Sequence, residues 1–196
     1  MKQTTLEETK QLNASGKFRR LPVYREIFSD IRTPVETLKI LKGVSTHCFL
    51  LESMEDRERW GRYTFLGYDP SMELTCMDGR MTMKVRLDQE ARHPEKETSA
   101  GNFFRIKTWE TGQPQKEVRR ILEENKSPRV EGLPTFTGGL VGYFAYDYLK
   151  YSEPCLKFRP KTEEDFKDMD LMLFDKIIAF DHFRQKIFLI VHIRTE

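Results

Sequence analysis

The chain has 196 residues, of which 38% are hydrophobic and 33% are charged, a composition that suits one domain of ordinary size with a real core. Its 33 basic and 31 acidic residues leave a formal net charge of +2, so no overall positive field exists to hold a polyanion, and we expect no nucleic-acid partner. The longest apolar run, Ile187 to Val191, has the length of a strand, and the N-terminus has no apolar segment typical of a signal peptide. We therefore expect a cytoplasmic protein with no membrane partner.

The cysteines and histidines do not form a metal-binding pattern. Cys48, Cys76 and Cys155 are widely spaced and odd in number, which favours reduced, partly buried thiols. The four histidines have no ligand spacing with them. We expect no metal ion to be bound by this chain.

The first part of the chain predicts a helix, a strand and a second helix. Residues 1–16 are polar with a weak helical pattern, and we interpret 1–20 as an appended helical segment, frayed at its start. Residues 21–28 are rich in β-branched and aromatic side chains and predict a strand. Thr33-Pro34-Val35-Glu36 predicts a helix start, with a threonine cap, a proline in the first turn and a glutamate that completes a capping box. We expect this helix to end at Lys42-Gly43 and to pack through Val35, Leu38 and Leu41.

The rest of the chain is dominated by strands that follow one another in pairs. Asp78-Gly79 is typical of a two-residue turn and predicts a hairpin whose arms are 74–77 and 80–87. A second hairpin is predicted near the end, from 176–180 and 186–193. Additional strands are expected at 47–51, 62–67, 134–147 and 170–174, one amphipathic helix at 114–125, and polar connections at 88–102 and before 170. This order favours an α+β fold with a mainly antiparallel sheet and flanking helices, and not a doubly wound parallel sheet.

The glycine-rich and acidic segments are the candidates for a binding or catalytic site. Gly138, Gly139 and Gly142 match neither a phosphate loop nor a dinucleotide fingerprint, so a close approach of two backbones is the better interpretation. Nothing resembles a nucleophile with a histidine partner. Glu52 and Ser53 end a predicted strand, which by itself indicates a capped or solvated strand end. The functional alternative is that the carboxylate accepts an ammonium group while the hydroxyl contacts a carboxylate, as an amino-acid ligand requires.

Two segments together resemble a known family. Leu50-Leu51-Glu52-Ser53, followed after ten intervening residues by Thr64, is similar to the motif that marks the tryptophan feedback site in component I of anthranilate synthase. Phe136-Thr137-Gly138-Gly139, continuing to Gly142-Tyr143 and Tyr146-Asp147, resembles the family's second signature. The resemblance implies that residues 21–196 are the N-terminal domain of such an enzyme. It also implies that Leu51, Glu52, Ser53 and Thr64 bind L-tryptophan as an allosteric inhibitor.

The resemblance carries further expectations. The family converts chorismate to anthranilate and pyruvate, uses Mg²⁺, and takes ammonia from a glutamine amidotransferase, component II. Its chorismate-binding and magnesium-binding residues lie in a C-terminal region that these 196 residues do not include, so we expect no catalytic residue in this chain and no activity from the chain alone. Thr64 stands where the family motif has serine.

Two alternatives remain open on the sequence. One is component I of aminodeoxychorismate synthase, a sister enzyme of the folate pathway with the same substrate. The other is a free-standing amino-acid-binding module with no catalytic role.

Overall fold

The computed structural model describes residues 2–14, 16–30, 32–52, 61–87, 104–153, 155–157, 159, 161 and 166–195. Within these residues the strands form two five-stranded sheets, and every strand pair whose register is described is antiparallel. This confirms the predicted α+β fold with mainly antiparallel sheet. The strands are β1 (Arg20–Phe28), β2 (Cys48–Glu52), β3 (Tyr63–Tyr68), β4 (Met72–Met77), β5 (Arg80–Arg86), β6 (Phe104–Glu110), β7 (Gly139–Phe144), β8 (Met169–Phe174), β9 (Lys176–Asp181) and β10 (Lys186–Arg194), and the helices are α1 (Leu6–Asn13), α2 (Pro34–Val44) and α3 (Pro114–Glu124), with a 3₁₀ helix at Tyr146–Tyr151.

The chain divides into two compact units. The first comprises Met1–Pro70, Leu122–Gly139 and Phe174–Glu196 and contains the first sheet, in the order β1-β10-β9-β3-β2. Its core joins one face of this sheet to α2 through four buried side chains, Leu41, Leu66, Phe180 and Ile187. The division into a 1–20 appendage and a 21–196 domain stays a prediction.

Both helices of the first unit begin as sequence chemistry dictates. Thr33 caps α2 by accepting a hydrogen bond from the backbone N–H of Glu36, and the Glu36 carboxylate accepts one from the Thr33 N–H. The predicted capping box is therefore confirmed. Thr5 and Glu8 form a second capping box at the start of α1, so this helix has a defined start where we expected fraying. The prediction for the packing face of α2 was partly wrong, because Val35 is 54% exposed while Leu38 and Leu41 pack inward.

The second unit comprises Ser71–Ile121 and Leu140–Leu173 and contains the second sheet, in the order β6-β5-β4-β8-β7. The predicted hairpin around Asp78-Gly79 is present as β4 and β5. Both turn residues have positive φ, 46° and 85°, which asparagine, aspartate and glycine tolerate best. The core packs α3 against this sheet, with six buried residues: Leu74, Cys76, Met81, Ile121, Met169 and Leu171.

Gly142 lies in β7 at a close approach between two backbones. A Cβ atom built on it would lie 2.0 Å from the carbonyl oxygen of Asp170 in β8. Only glycine fits at such a position. The interpretation of the glycine-rich segment as a strand with a close backbone contact is confirmed.

The three cysteines differ in their exposure to solvent. Cys76 is buried and Cys48 is partly buried, but Cys155 is exposed, so the expectation of burial was wrong for this thiol. Among the helices that the structure describes, none is long and apolar enough to cross a membrane.

Candidate functional site

The predicted tryptophan-site residues lie at one end of the β2–β3 pair in the first unit. Glu52 is the last residue of β2, and its Cα pairs with that of Thr64 in β3. Directly paired residues of an antiparallel ladder project from the same face of the sheet. Leu51 and Glu52 are exposed, whereas Thr64 is 1% exposed. Ser53 falls outside the described residues, so its place in the site stays a prediction.

The Thr64 side chain has a partner that the sequence does not indicate. Its Oγ1 lies 2.7 Å from Nε2 of His182, the residue that follows β9. Thr64 also pairs with Phe180 of β9 in the ladder, so the hydroxyl sits beside the apolar core of the unit. The hydroxyl and the imidazole are 118 positions apart in the chain, so no local sequence motif predicts their contact.

A buried ion pair supports this end of the sheet. The Arg62 guanidinium donates two hydrogen bonds to the Asp181 carboxylate, at 3.0 Å and 2.6 Å, a bidentate geometry that fixes both side chains. The same carboxylate accepts hydrogen bonds from the backbone N–H groups of Phe183 and Arg184. Burial works to raise the pKa of the Asp181 carboxyl, but the bonds from Arg62 and Arg184 outweigh it and lower the pKa. The aspartate therefore stays ionised and holds the turn after β9.

A second polar cluster occupies the second unit and centres on Asp168, which is fully buried. Its carboxylate accepts hydrogen bonds from the Tyr151 hydroxyl at 2.7 Å, the Asp78 backbone N–H at 2.8 Å and the Lys150 ammonium at 3.1 Å. The Lys161 ammonium lies 2.9 Å away. Burial works to raise the pKa of Asp168, and the bonds from Tyr151 and the two lysines more than offset it. Every strong acceptor position of this carboxylate is used, so the cluster has the character of a structural network.

The Asp168 cluster corrects one sequence expectation. The segment before residue 170 was interpreted as a polar connection, yet it supplies Asp168 and Lys161 to a buried network. The alternation that identifies strands does not reveal a charge that is buried because its partners come from elsewhere.

Two cavities are lined by other residues. One, of about 380 Å³, lies in the second unit and is lined by Tyr143, Ala145, Asp147, Arg159, Lys161 and Phe166. The other, of about 260 Å³, lies in the first unit between the N-terminal segment and β1, and Tyr24, Pro22 and Leu12 form its apolar part. Within the part of the chain that the structure describes, no three histidine, cysteine or acidic residues come together as metal ligands would. The described residues therefore offer no ready set of ligands for a Mg²⁺ ion.

Known proteins align with almost the whole chain. Anthranilate synthase component 1 of Acinetobacter calcoaceticus is 34% identical over 196 residues, covering 98% of this chain and 36% of that protein. The component 1 protein of Aquifex aeolicus is 33% identical and covers 96% of this chain and 34% of its own length. This chain is a homologue of anthranilate synthase component 1. The resemblance stated from the two motifs is thereby confirmed.

The homology has a defined extent. The chain spans about a third of the length of the curated relatives that it matches. Anthranilate synthase component I from Streptococcus pneumoniae TIGR4, a solved structure, aligns with 84% of this chain and 31% of its own at 22% identity, with a TM-score of 0.46. No family model matches the chain.

Proposed function

We propose that this chain is the N-terminal, tryptophan-sensing part of anthranilate synthase component I, the enzyme that converts chorismate and ammonia to anthranilate and pyruvate. The observation that carries the proposal is homology to component 1 proteins over 96–98% of the chain. An alignment over nearly the whole of this chain makes a shared role far more economical than a chance motif match.

In this proposal L-tryptophan binds at the exposed end of the β2–β3 pair. Glu52 is exposed, so its side-chain carboxylate is available to accept hydrogen bonds from the ligand's ammonium group. Leu51 is 48% exposed and precedes Glu52 at the end of β2. Ser53 contacts the ligand, and the buried Thr64 supports the site from within the sheet. Glu52 and Thr64 are register partners, which is the geometric support for treating them as one site.

Catalysis in this proposal belongs to a chorismate-binding region that the 196 residues do not include. That region supplies the catalytic residues and the ligands of Mg²⁺, and a glutamine amidotransferase supplies ammonia. Tryptophan inhibits by binding one state of the whole enzyme better than another. Such coupling amounts to about 1–3 kcal/mol, and chorismate must weaken tryptophan binding by the same factor.

The proposal is tested by measuring anthranilate formation from chorismate, ammonium and Mg²⁺. The 196-residue chain alone should show no turnover. The same chain joined to the chorismate-binding region of the Acinetobacter relative should turn over and be inhibited by L-tryptophan. Turnover by the chain alone would contradict the division of roles.

The site assignment is tested in the joined enzyme with Ser53→Phe. The bulky ring should relieve tryptophan inhibition by about tenfold or more and leave kcat close to that of the unsubstituted enzyme, because Ser53 lies in the effector site and not among the catalytic groups. Equal tryptophan sensitivity in the two enzymes would remove Ser53 from the site.

A further inference from the structure

Thr64 is poorly placed to touch a ligand directly. Its side chain is 1% exposed, and its hydroxyl already has a hydrogen-bond partner in His182 Nε2 at 2.7 Å. The imidazole of His182 is only partly buried. Of these two bonded groups, the imidazole is the one that solvent reaches.

We propose that His182 binds the effector, L-tryptophan. Thr64 is then a positioning residue that orients the His182 ring. The Thr64 hydroxyl donates its proton to Nε2 of His182, which leaves the ring proton on Nδ1. The Nδ1–H group then donates a hydrogen bond to the carboxylate of the bound amino acid. This inference rests on the proposed tryptophan-sensing function and adds a contact residue to that site.

Hydrogen-bond chemistry gives the reason. In a neutral imidazole one nitrogen carries the proton, and the bond made by the other nitrogen decides which one. A hydroxyl that donates to Nε2 therefore selects the Nδ1–H tautomer. Among the described residues, no group bonds Nδ1 of His182. A carboxylate is a suitable acceptor for it.

The backbone of His182 is held at both of its polar groups. Its N–H donates to the carbonyl of Arg62 at 2.9 Å, and its carbonyl accepts from the Gln185 side chain at 2.7 Å. The Arg62–Asp181 ion pair holds the residue before His182, and the Phe183 N–H donates to the same carboxylate. The bond to Thr64 then restricts the rotation of the His182 ring about its side-chain bonds.

The extra methyl group of threonine fits this role. A β-branched side chain has fewer χ1 states than serine, so the hydroxyl of Thr64 is aimed at His182 more firmly than a serine hydroxyl would be. A residue that contacted the ligand itself would gain little from this stiffness. A residue that orients another gains directly.

Glu52 completes the ligand chemistry. Glu52 is the ladder partner of Thr64, and the His182 ring is the hydrogen-bond partner of the Thr64 hydroxyl. One accepts hydrogen bonds and the other donates one. This is the pairing that the ammonium and carboxylate groups of an α-amino acid require.

Two substitutions of His182 distinguish the roles of its two ring nitrogens. The side-chain amide of asparagine reaches the place of Nδ1, whereas that of glutamine reaches the place of Nε2. His182→Asn should therefore keep most of the affinity for L-tryptophan, and His182→Gln should lose about tenfold or more, the size of a lost hydrogen bond to a charged group. Titration calorimetry of the joined enzyme with L-tryptophan measures both, with circular dichroism as the folding check.

A ligand without the carboxylate supplies the second readout. Tryptamine keeps the indole ring and the ammonium group, so the unsubstituted enzyme and His182→Gln should bind it equally. A merely structural role for His182 would weaken both ligands alike. Equal loss for tryptophan and tryptamine, or no loss for tryptophan, would overturn the inference.

The ring tautomer supplies a third readout, which survives poor folding of either histidine variant. Long-range ¹H–¹⁵N spectra of the His182 ring should show the Nδ1–H form in the unsubstituted enzyme and in Thr64→Ser, and a shift away from it in Thr64→Val. An Nε2–H ring in the unsubstituted enzyme would overturn the inference. Absence of any tryptophan binding by the unsubstituted enzyme would overturn the proposed function as well, which distinguishes the two failures.

Discussion

His192 of β10 is a buried histidine whose imidazole the fold keeps neutral. Its Nε2 lies 3.2 Å from the Thr137 hydroxyl. Burial, the larger cause, and the positive charge of Arg20 together lower the pKa of this ring from 6.5 to about 4, and Asp175 only partly opposes them. Between these two pKa values the unfolded chain binds a proton that the folded chain does not, so stability falls as the pH falls through this window.

The pH dependence of folding should follow from this residue. Between about pH 7 and about pH 5, His192 should remove about 2 kcal/mol from the free energy of unfolding. His192→Gln keeps a polar atom near Thr137 and cannot titrate, so its stability should change less over the same interval. Urea unfolding at the two pH values measures the difference, with His47→Gln as the control for a partly exposed histidine. An unchanged pH dependence in His192→Gln would assign the acid sensitivity to other groups.

Some residues of the candidate site can be predicted from the sequence and others cannot. Glu52 and Thr64 were predicted as site residues because they belong to a short motif that resembles one of the family, and their ladder pairing brings them together. His182 and Asp168 were not found, because their partners come from distant parts of the chain. A buried charge or an oriented imidazole is a property of tertiary contacts, which hydrophobic periodicity does not encode.

At the scale of elements, the sequence predicts most of what has a strong local signal. The capping box of α2, the Asp78-Gly79 hairpin and the closing hairpin of β9 and β10 all have turn or cap chemistry that acts within a few residues. The strand β6 was missed. It is an edge strand of the second sheet, most of its residues are exposed on both faces, and charged residues alternate with apolar ones without a buried stripe.

The closeness of β7 and β8 makes Gly142 a sensitive position. Gly142→Ala would place a methyl group 2.0 Å from the Asp170 carbonyl oxygen, so the strands must separate and lose hydrogen bonds. We expect a loss of about 3 kcal/mol or more in the free energy of unfolding, at or beyond the upper end for overpacking. Gly43→Ala in α2 is the matched control, because nothing lies within 4 Å of its added Cβ. That change should stabilise the helix by about 0.5–1 kcal/mol.

Urea unfolding monitored by circular dichroism compares the two glycine variants directly. Opposite signs are the expected result, since the two substitutions add the same methyl group to different surroundings. Equal stability of Gly142→Ala and the unsubstituted chain would show that β7 moves away from β8 at little cost.

At the scale of the whole molecule, the first sheet leaves part of one apolar face exposed. In β10 the alternate residues Phe188 and Ile190 are buried, while Leu189, Val191 and Ile193 are 37%, 44% and 40% exposed. The strand is interior to the sheet, between β1 and β9, and these three side chains follow one another along one face of it. Contiguous exposed apolar surface favours association.

The isolated 196-residue chain should therefore self-associate as its concentration rises, and light scattering coupled to size-exclusion chromatography should show a growing mass. The double change Leu189→Thr and Val191→Thr keeps the β-branched or strand-compatible shape and adds hydroxyls, so it should shift the chain toward the monomer. Ile106→Thr is the matched control, since Ile106 is also exposed but lies on β6 of the second sheet. If Ile106→Thr shifts the chain toward the monomer equally well, association does not depend on the β10 face. A monodisperse monomer from the unsubstituted chain would show that the exposed β10 face does not drive association. If only the double change acts, association depends on the β10 face.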